Sequence, residues 1–208
     1  LTADQVELLD SQFYLKKYPD VKVPFSGVCN ACLWTGKQMA AFEWFKPQDL
    51  IQDHETGQGK AFPTFAYGCI VAEVEVDMKT GYVDVLEVTA SHDVGTAINP
   101  ALVKGQIYGG IVMGQGFAVT EDVVTGKRGQ KTKNFDSYIL PTSMDAPKMN
   151  INIYENQDPA GTYGAKSIGE PATEGVGAAI ANAIFNATGR RVYENPADLE
   201  TVLLGHKL

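Results

Sequence analysis

The chain has 208 residues, 44% of them hydrophobic, and a formal net charge of −8. That length fits one large domain or two small ones with a sizeable core, and 21 glycines are more than a plain helical bundle would carry. Lys and Arg form no cluster, which argues against a nucleic-acid surface. No apolar run approaches the roughly 18–20 residues that a membrane-spanning helix needs.

"ADQVELLDSQFYLKKYPD" reads as a helix carrying Val6, Leu8, Leu9, Phe13 and Tyr14, with a stop near Pro19. "SGVCNACLWTGKQMAAFEWF" predicts a second helix. It holds Cys29 and Cys32 as C-x-x-C, a spacing known from metal and redox sites. No second Cys pair follows, so two small buried residues on a helix is the simpler reading. With Cys69 the total is three, an odd and low number that fits a reduced, cytoplasmic protein. No secretory signal is visible. The chain starts at Leu1 rather than Met, which reads as a processed or truncated piece of something longer.

Residues 46–63 are polar and rich in Gly and Pro, and predict a loop. Within it, "HETGQGK" resembles a phosphate-binding loop only loosely, because the full G-x-x-x-x-G-K-S/T spacing is missing. "CIVAEVEVDMKTGYVDVLEVTA" then alternates apolar and acidic residues about a turn at residues 78–81. This predicts a hairpin over residues 66–90, with Gly81 supplying a positive φ. Asn99 is a good N-cap and Pro100 suits the first helical position, so a helix starts there. Gly105, Gly109, Gly110, Gly114 and Gly116 weaken such a helix by roughly 1 kcal/mol each, which makes sense if its glycine face packs very closely on something. "KMNINIYEN" reads as a further strand and residues 156–168 as a loop. A helix is predicted from Pro171 to Thr188, stopped by Gly189, and a short last helix from Asn195–Pro196. A hairpin, further strands and separate helices define an α+β fold with mixed sheet elements and packed helices.

The candidate chemistry centres on Glu170, set between Gly169 and Pro171. The positive end of an Ala-rich helix would help keep a carboxylate ionised against desolvation, as a general base requires. Gly164 and Gly169 allow a sharp turn close to a ligand, and Lys166 offers a cation to an anionic group. From the residues alone, a helix cap is the simpler role for Glu170. "MGQGFAV" does not open a helix after a strand, so it is no dinucleotide fingerprint. His54 and His92 have no evident Ser or Cys partner for a triad.

Three segments in order carry a resemblance: "FAYGCIVAEVEVDMKTGYVDVLEV", "HDVGTAINPALVKGQIYGGIVMGQGFAVTEDV" and "GAKSIGEPATEGVGAAIANAIFNATG". Together they resemble the C-terminal part of the molybdenum-binding subunit of the xanthine dehydrogenase and aldehyde oxidase family, across roughly residues 40–208. The first forty residues match less clearly. The resemblance implies that residues 1–208 are the C-terminal part of a molybdopterin-binding domain. It implies hydroxylation of an N-heterocycle or aldehyde carbon, with water as the oxygen source. It also implies a molybdenum–molybdopterin cofactor, the cytosine dinucleotide form being one variant. Glu170 becomes the general base acting on a metal-bound hydroxyl. Gly164, Ala165, Lys166, Ser167, Ile168 and Gly169 become the loop that approaches the cofactor.

In several relatives a Gln of the Gly-rich helix contacts the pterin. Met113 stands at that position here, with Gln115 two residues on as a candidate contact. Asp93, Gly95, Asn99 and Gln106 match a further family pattern, in packing or in binding. The remaining segment of the molybdenum subunit, iron–sulfur clusters and FAD are expected on partner domains or subunits, and the isolated chain is expected to be inactive. The competing reading is a non-catalytic domain that holds cofactor or subunits, with Glu170 as a cap.

Overall fold

A computed structural model describes residues 2–46 and 50–205, which divide into two compact units, Leu1–Lys46 and Pro47–Leu208. In the first unit the predicted N-terminal helix is absent. A short 3₁₀ turn, Ala3–Gln5, leads into an antiparallel meander of β1 (Val6–Leu9), β2 (Gln12–Leu15) and β3 (Tyr18–Pro24). The apolar residues fit both a helical and a two-residue period, and the turn decides between them. Asp10 and Ser11 both take positive φ, 49° and 60°, as a two-residue hairpin turn requires. Pro19 lies within β3, an edge strand that tolerates a missing N–H. The second predicted helix is present but shorter, α1 (Phe25–Trp34), followed by Gly36 at φ 64°. Cys29 and Cys32 lie on α1, both half-buried with free thiols.

The second unit opens with β4 (Ile51–Gln52) and β5 (Gly59–Lys60), a small hairpin inside the predicted loop, of which residues 47–49 lie outside the described residues. The main hairpin follows as expected, β6 (Gly68–Val76) antiparallel to β7 (Val83–Asp93). The two hairpins share one turn. Asp77 accepts from Lys79 N (2.8 Å) and Thr80 Oγ1 (2.9 Å), and Gly81 at φ 79° donates back to Asp77 O (2.7 Å). Asp53 does the same with Glu55 N (2.9 Å), Thr56 Oγ1 (2.7 Å) and Gly57 at φ 69°. "DHETG" is thus a hairpin turn of the same build as "DMKTG".

The core alternation of β7 changes parity midway. Val83 and Val85 are buried, then Val88, Ala90 and His92. Glu73 pairs with Glu87 but Val74 pairs with Val85, so Leu86 is an extra residue, a bulge that turns the later side chains over. His92 consequently faces the core, and Asp93 points the other way.

The Gly-rich helix α2 (Pro100–Val119) starts as predicted, Asn99 Oδ1 accepting from Leu102 N at 3.1 Å. After the short ribbon of β8 (Thr125–Gly126) and β9 (Gly129–Gln130), β10 (Lys148–Tyr154) pairs parallel to β7. The sheet order is therefore β10-β7-β6. The predicted helix over residues 171–188 is divided into α3 (Pro171–Glu174) and α4 (Val176–Thr188). The break falls at Gly175, where a Cβ would lie 3.1 Å from Ile70 Cδ1 on the sheet. Gly189, at φ 73°, ends α4 as expected. The last helix, α5 (Leu199–Leu204), begins later than predicted, because Asp198 and not Asn195 caps it, accepting from Thr201 N at 2.8 Å. Ile107 and Ile111 of α2, Val176, Ile180 and Ile184 of α4, Val202 of α5 and the β7 valines form the core. The architecture is α+β, as the sequence implies. No helix among the described residues is long and apolar enough to cross a membrane.

Candidate active site

Two segments far apart in sequence meet beside α2: the end of β7 with its loop, residues 93–96, and the loop of residues 158–170. Gly164 O accepts from Thr96 N (2.8 Å) and Asp158 N (3.0 Å), and Lys166 N donates to Val94 O (2.9 Å). Gly95 and Ala165 form an isolated antiparallel bridge. Gly95, at φ 63°, is required twice over, since a Cβ there would land on the Gly164 carbonyl oxygen.

The Lys166 Nζ lies 2.6 Å from Asp93 Oδ2, with the two side chains only 7% and 13% exposed. It also sits 5.6 Å above the Tyr67 ring. The sequence offered Lys166 to an anionic ligand, but its charge is committed to Asp93. Burial pushes the Asp93 carboxyl up, yet the Lys166 hydrogen bond, the Gly95 N–H and the Lys166 charge together hold it below its ordinary value.

An Asp with a depressed folded pKa adds stability that is complete above its unfolded value, about 3.9, and is lost as pH falls towards the folded value. Unfolding free energies of the protein and of Asp93→Asn, followed from about pH 6 to about pH 3, should therefore converge on the acid side. A gap that stays constant over that range would show that the pair carries no such linkage.

Beyond Lys166, Ser167 and Gly169 are exposed and Ile168 packs on the core. Glu170 follows, exposed, with helical backbone angles (φ −72°, ψ −45°) and no capping hydrogen bond from its side chain. Its carbonyl accepts from Thr173 N at 2.9 Å. The long helix expected behind it is one turn of α3, so the dipole argument loses most of its force at this position.

α2 lies directly under this turn. A Cβ on Gly110 would be 2.7 Å from the Ala172 backbone, and one on Gly114 would be 2.5 Å from Val176 Cβ. Gln106 Nε2 donates to Gly169 O at 3.5 Å, and Thr173 Oγ1 reaches Met113 Sδ at 4.0 Å. The close-packed glycine face of the sequence reading is therefore Gly110 and Gly114. Gly105 and Gly109 instead would meet nothing outside their own helix within 4 Å of a Cβ position and leave an exposed stretch of α2 open. A cavity of about 490 Å³ lies between the start of α2 and the loop, lined by Thr96, Asn99, Gln106, Ala165, Ile168 and Gly169 among others.

Gln115 is not part of this group. Two residues on from Met113, it lies on the far side of α2. It is 5% exposed and donates from Nε2 to Asp145 O at 2.8 Å. Met113 itself is 62% exposed beside Thr173. Gln106, which matches the family pattern in sequence, is brought from α2 against the Gly169 carbonyl one turn before Gly110. His92 is buried under Gly68 with neither ring nitrogen hydrogen-bonded, and burial holds its pKa below the ordinary value. Among the described residues no three His, Cys, Asp or Glu side chains converge as a metal site.

This is an α+β domain in which an exposed, uncapped carboxylate ends a loop pinned to the central strand of the sheet, and comparison with known proteins gives its family. The chain belongs to the molybdopterin cofactor-binding domain family, whose model matches residues 1–147. It is 38% identical over 151 residues to an aldehyde oxidoreductase of Megalodesulfovibrio gigas, covering 73% of this chain and 16% of that protein. It is 37% identical over 126 residues to a putative xanthine dehydrogenase molybdenum-binding subunit of Escherichia coli strain K12, covering 60% and 17%. The crystal structure of the aldehyde oxidoreductase from Desulfovibrio desulfuricans superposes with a TM-score of 0.66 at 35% identity, over 71% of this chain and 16% of that one. The chain thus spans about a sixth of the length of these relatives.

Proposed function

We propose that this chain is the part of a molybdenum hydroxylase that presents the general base to the cofactor and substrate. The carrying observation is the exposed Glu170 carboxylate, free of any capping bond, at the end of a loop whose Ala165, Ile168 and Gly169 line a cavity with Gln106 of α2. The residues fit a close-lying cofactor, since Gly105 and Gly109 leave the surface of α2 open where any side chain would stand out from it. When bound, the cofactor would supply the transferred oxygen, which originates in water, and would take the substrate's C–H hydrogen together with its electron pair. Gln106, Gly109 and the backbone of the loop Gly164–Gly169 would hold and orient it, the Lys166 side chain being engaged by Asp93 instead. Glu170 takes up a proton at a carboxylate oxygen as the new carbon–oxygen bond forms. Substrates would be N-heterocycles or aldehydes. The cytosine dinucleotide form of the cofactor is one variant this reading admits.

The electrons would leave through iron–sulfur clusters and FAD on partner domains or subunits, and the rest of the molybdenum subunit would complete the site. A cytoplasmic location agrees with three free cysteines. The reading of Glu170 as a plain cap in a non-catalytic scaffold finds no support in its side chain, which caps nothing.

Purification of the full-length protein that carries this chain, with its partners, tests the proposal. Molybdenum and pterin should co-purify with it, and the complex should turn over a heterocycle or an aldehyde with an artificial electron acceptor. A well-folded complex that holds neither metal nor pterin after cofactor supply would overturn the cofactor assignment.

A further inference from the structure

We propose that the buried Asp93–Lys166 ion pair is a positioning device that holds the loop of Glu170 in its working geometry. The inference rests on the reading of Glu170 as the base. Between Lys166 and the first residue of α3 lie Ser167, Ile168, Gly169 and Glu170 itself. Ile168 is held by apolar packing alone, and Gly169 has nothing within 4 Å of its Cβ position and a single long hydrogen bond at its carbonyl. The last strong polar anchors before Glu170 are therefore both at Lys166: its backbone N–H on Val94 O and its Nζ on Asp93. Both lead to the end of β7, the central strand of the sheet. The bulge at Leu86 turns Asp93 out of the core towards this loop.

A buried pair is a poor device for stability, because an apolar replacement of similar volume often does as well. What an ion pair provides and apolar packing does not is a single direction and distance. Gly95 allows the two backbones to meet closely enough for both contacts. Lys166 acts through Glu170 and needs no contact of its own with substrate or metal.

The test uses the full-length, molybdenum-loaded protein in four forms: the natural protein, Asp93→Asn/Lys166→Met, Lys166→Arg and Glu170→Gln. The double variant removes both charges, so no uncompensated charge is left buried and the fold is kept. Its kcat should fall by about 10- to 100-fold at unchanged KM, the loss expected when a reacting group is misplaced by about 1 Å. Amide hydrogen exchange across residues 165–170 should speed up in the double variant while exchange in β7 and α4 stays as it was. Lys166→Arg, which keeps the charge, should recover most of both signals. A double variant with unchanged exchange across residues 165–170 overturns the proposal whatever its activity. So does one with faster exchange but normal kcat, provided Glu170→Gln is inactive. If Glu170→Gln is itself fully active, the base assignment falls, and the exchange data alone decide whether the pair holds the loop.

Discussion

Glu170→Gln should lower kcat by about 10²–10⁴-fold, the usual contribution of a positioned general base. Stability and molybdenum content should barely move. The reason lies in what the carboxylate does not do: it caps no helix, and its residue is exposed. Exposed side chains without special contacts change stability by only about 0.5 kcal/mol when replaced. Were Glu170 a cap, its loss would instead cost about 0.5–2 kcal/mol with the rate per folded molecule preserved. Gln keeps the size and a hydrogen-bonding group and loses only the capacity to take up a proton at neutral pH. Measuring kcat per bound molybdenum alongside thermal unfolding separates the two roles. A folded, metal-loaded Glu170→Gln protein turning over at the normal rate would remove Glu170 from the chemistry.

The parts of the fold that could be read from sequence are those where one residue type forces one geometry. Gly81 after Asp77 sets the hairpin turn, Asn99–Pro100 sets the start of α2, and Gly189 sets the end of α4. The reading failed where two periods fit the same residues. Val6, Leu8, Leu9, Phe13 and Tyr14 suit a helix as well as two strands, and only the positive φ of Asp10 and Ser11, which neither residue type demands, makes them strands. The break at Gly175 was also hidden, because it depends on Ile70 of β6, which approaches from a hundred residues away in sequence.

The place of Glu170, at the end of its loop and just before a helix, was legible from Gly169 and Pro171 on either side of it. The engagement of Lys166 was not, since its partner Asp93 lies in another segment and faces it only because of the bulge at Leu86. Gln115 lies apart from this loop for a simpler geometric reason. Two residues along a helix is more than half a turn, so a Gln there cannot replace one at Met113.

The neighbouring glycines of α2 should respond to the same substitution with opposite signs. Gly109→Ala adds a methyl where nothing outside its own helix lies within 4 Å. It should stabilise the chain by about 0.4–1 kcal/mol, through reduced freedom of the unfolded chain and better helix propensity. Gly110→Ala gains the same propensity but places its Cβ 2.7 Å from the carbonyl carbon and oxygen of Ala172, where backbone and not a flexible side chain must give way. Overpacking of this kind costs about 1–3 kcal/mol against that gain, so the net change should be destabilising, by up to about 2.5 kcal/mol.

The two variants should also differ in where activity is lost. Displacing Ala172 moves the turn of α3 that starts at Glu170, so Gly110→Ala should lower kcat in the loaded protein. Gly109→Ala adds a side chain to the open stretch of α2 and should instead weaken cofactor retention while leaving Glu170 in place. Chemical denaturation of both variants, with molybdenum and pterin content measured beside kcat, checks all four expectations. Equal stability of Gly109→Ala and Gly110→Ala would show that α2 and α3 are not packed backbone to backbone. Full cofactor retention in Gly109→Ala, with unchanged kcat in Gly110→Ala, would remove this face of α2 from the site.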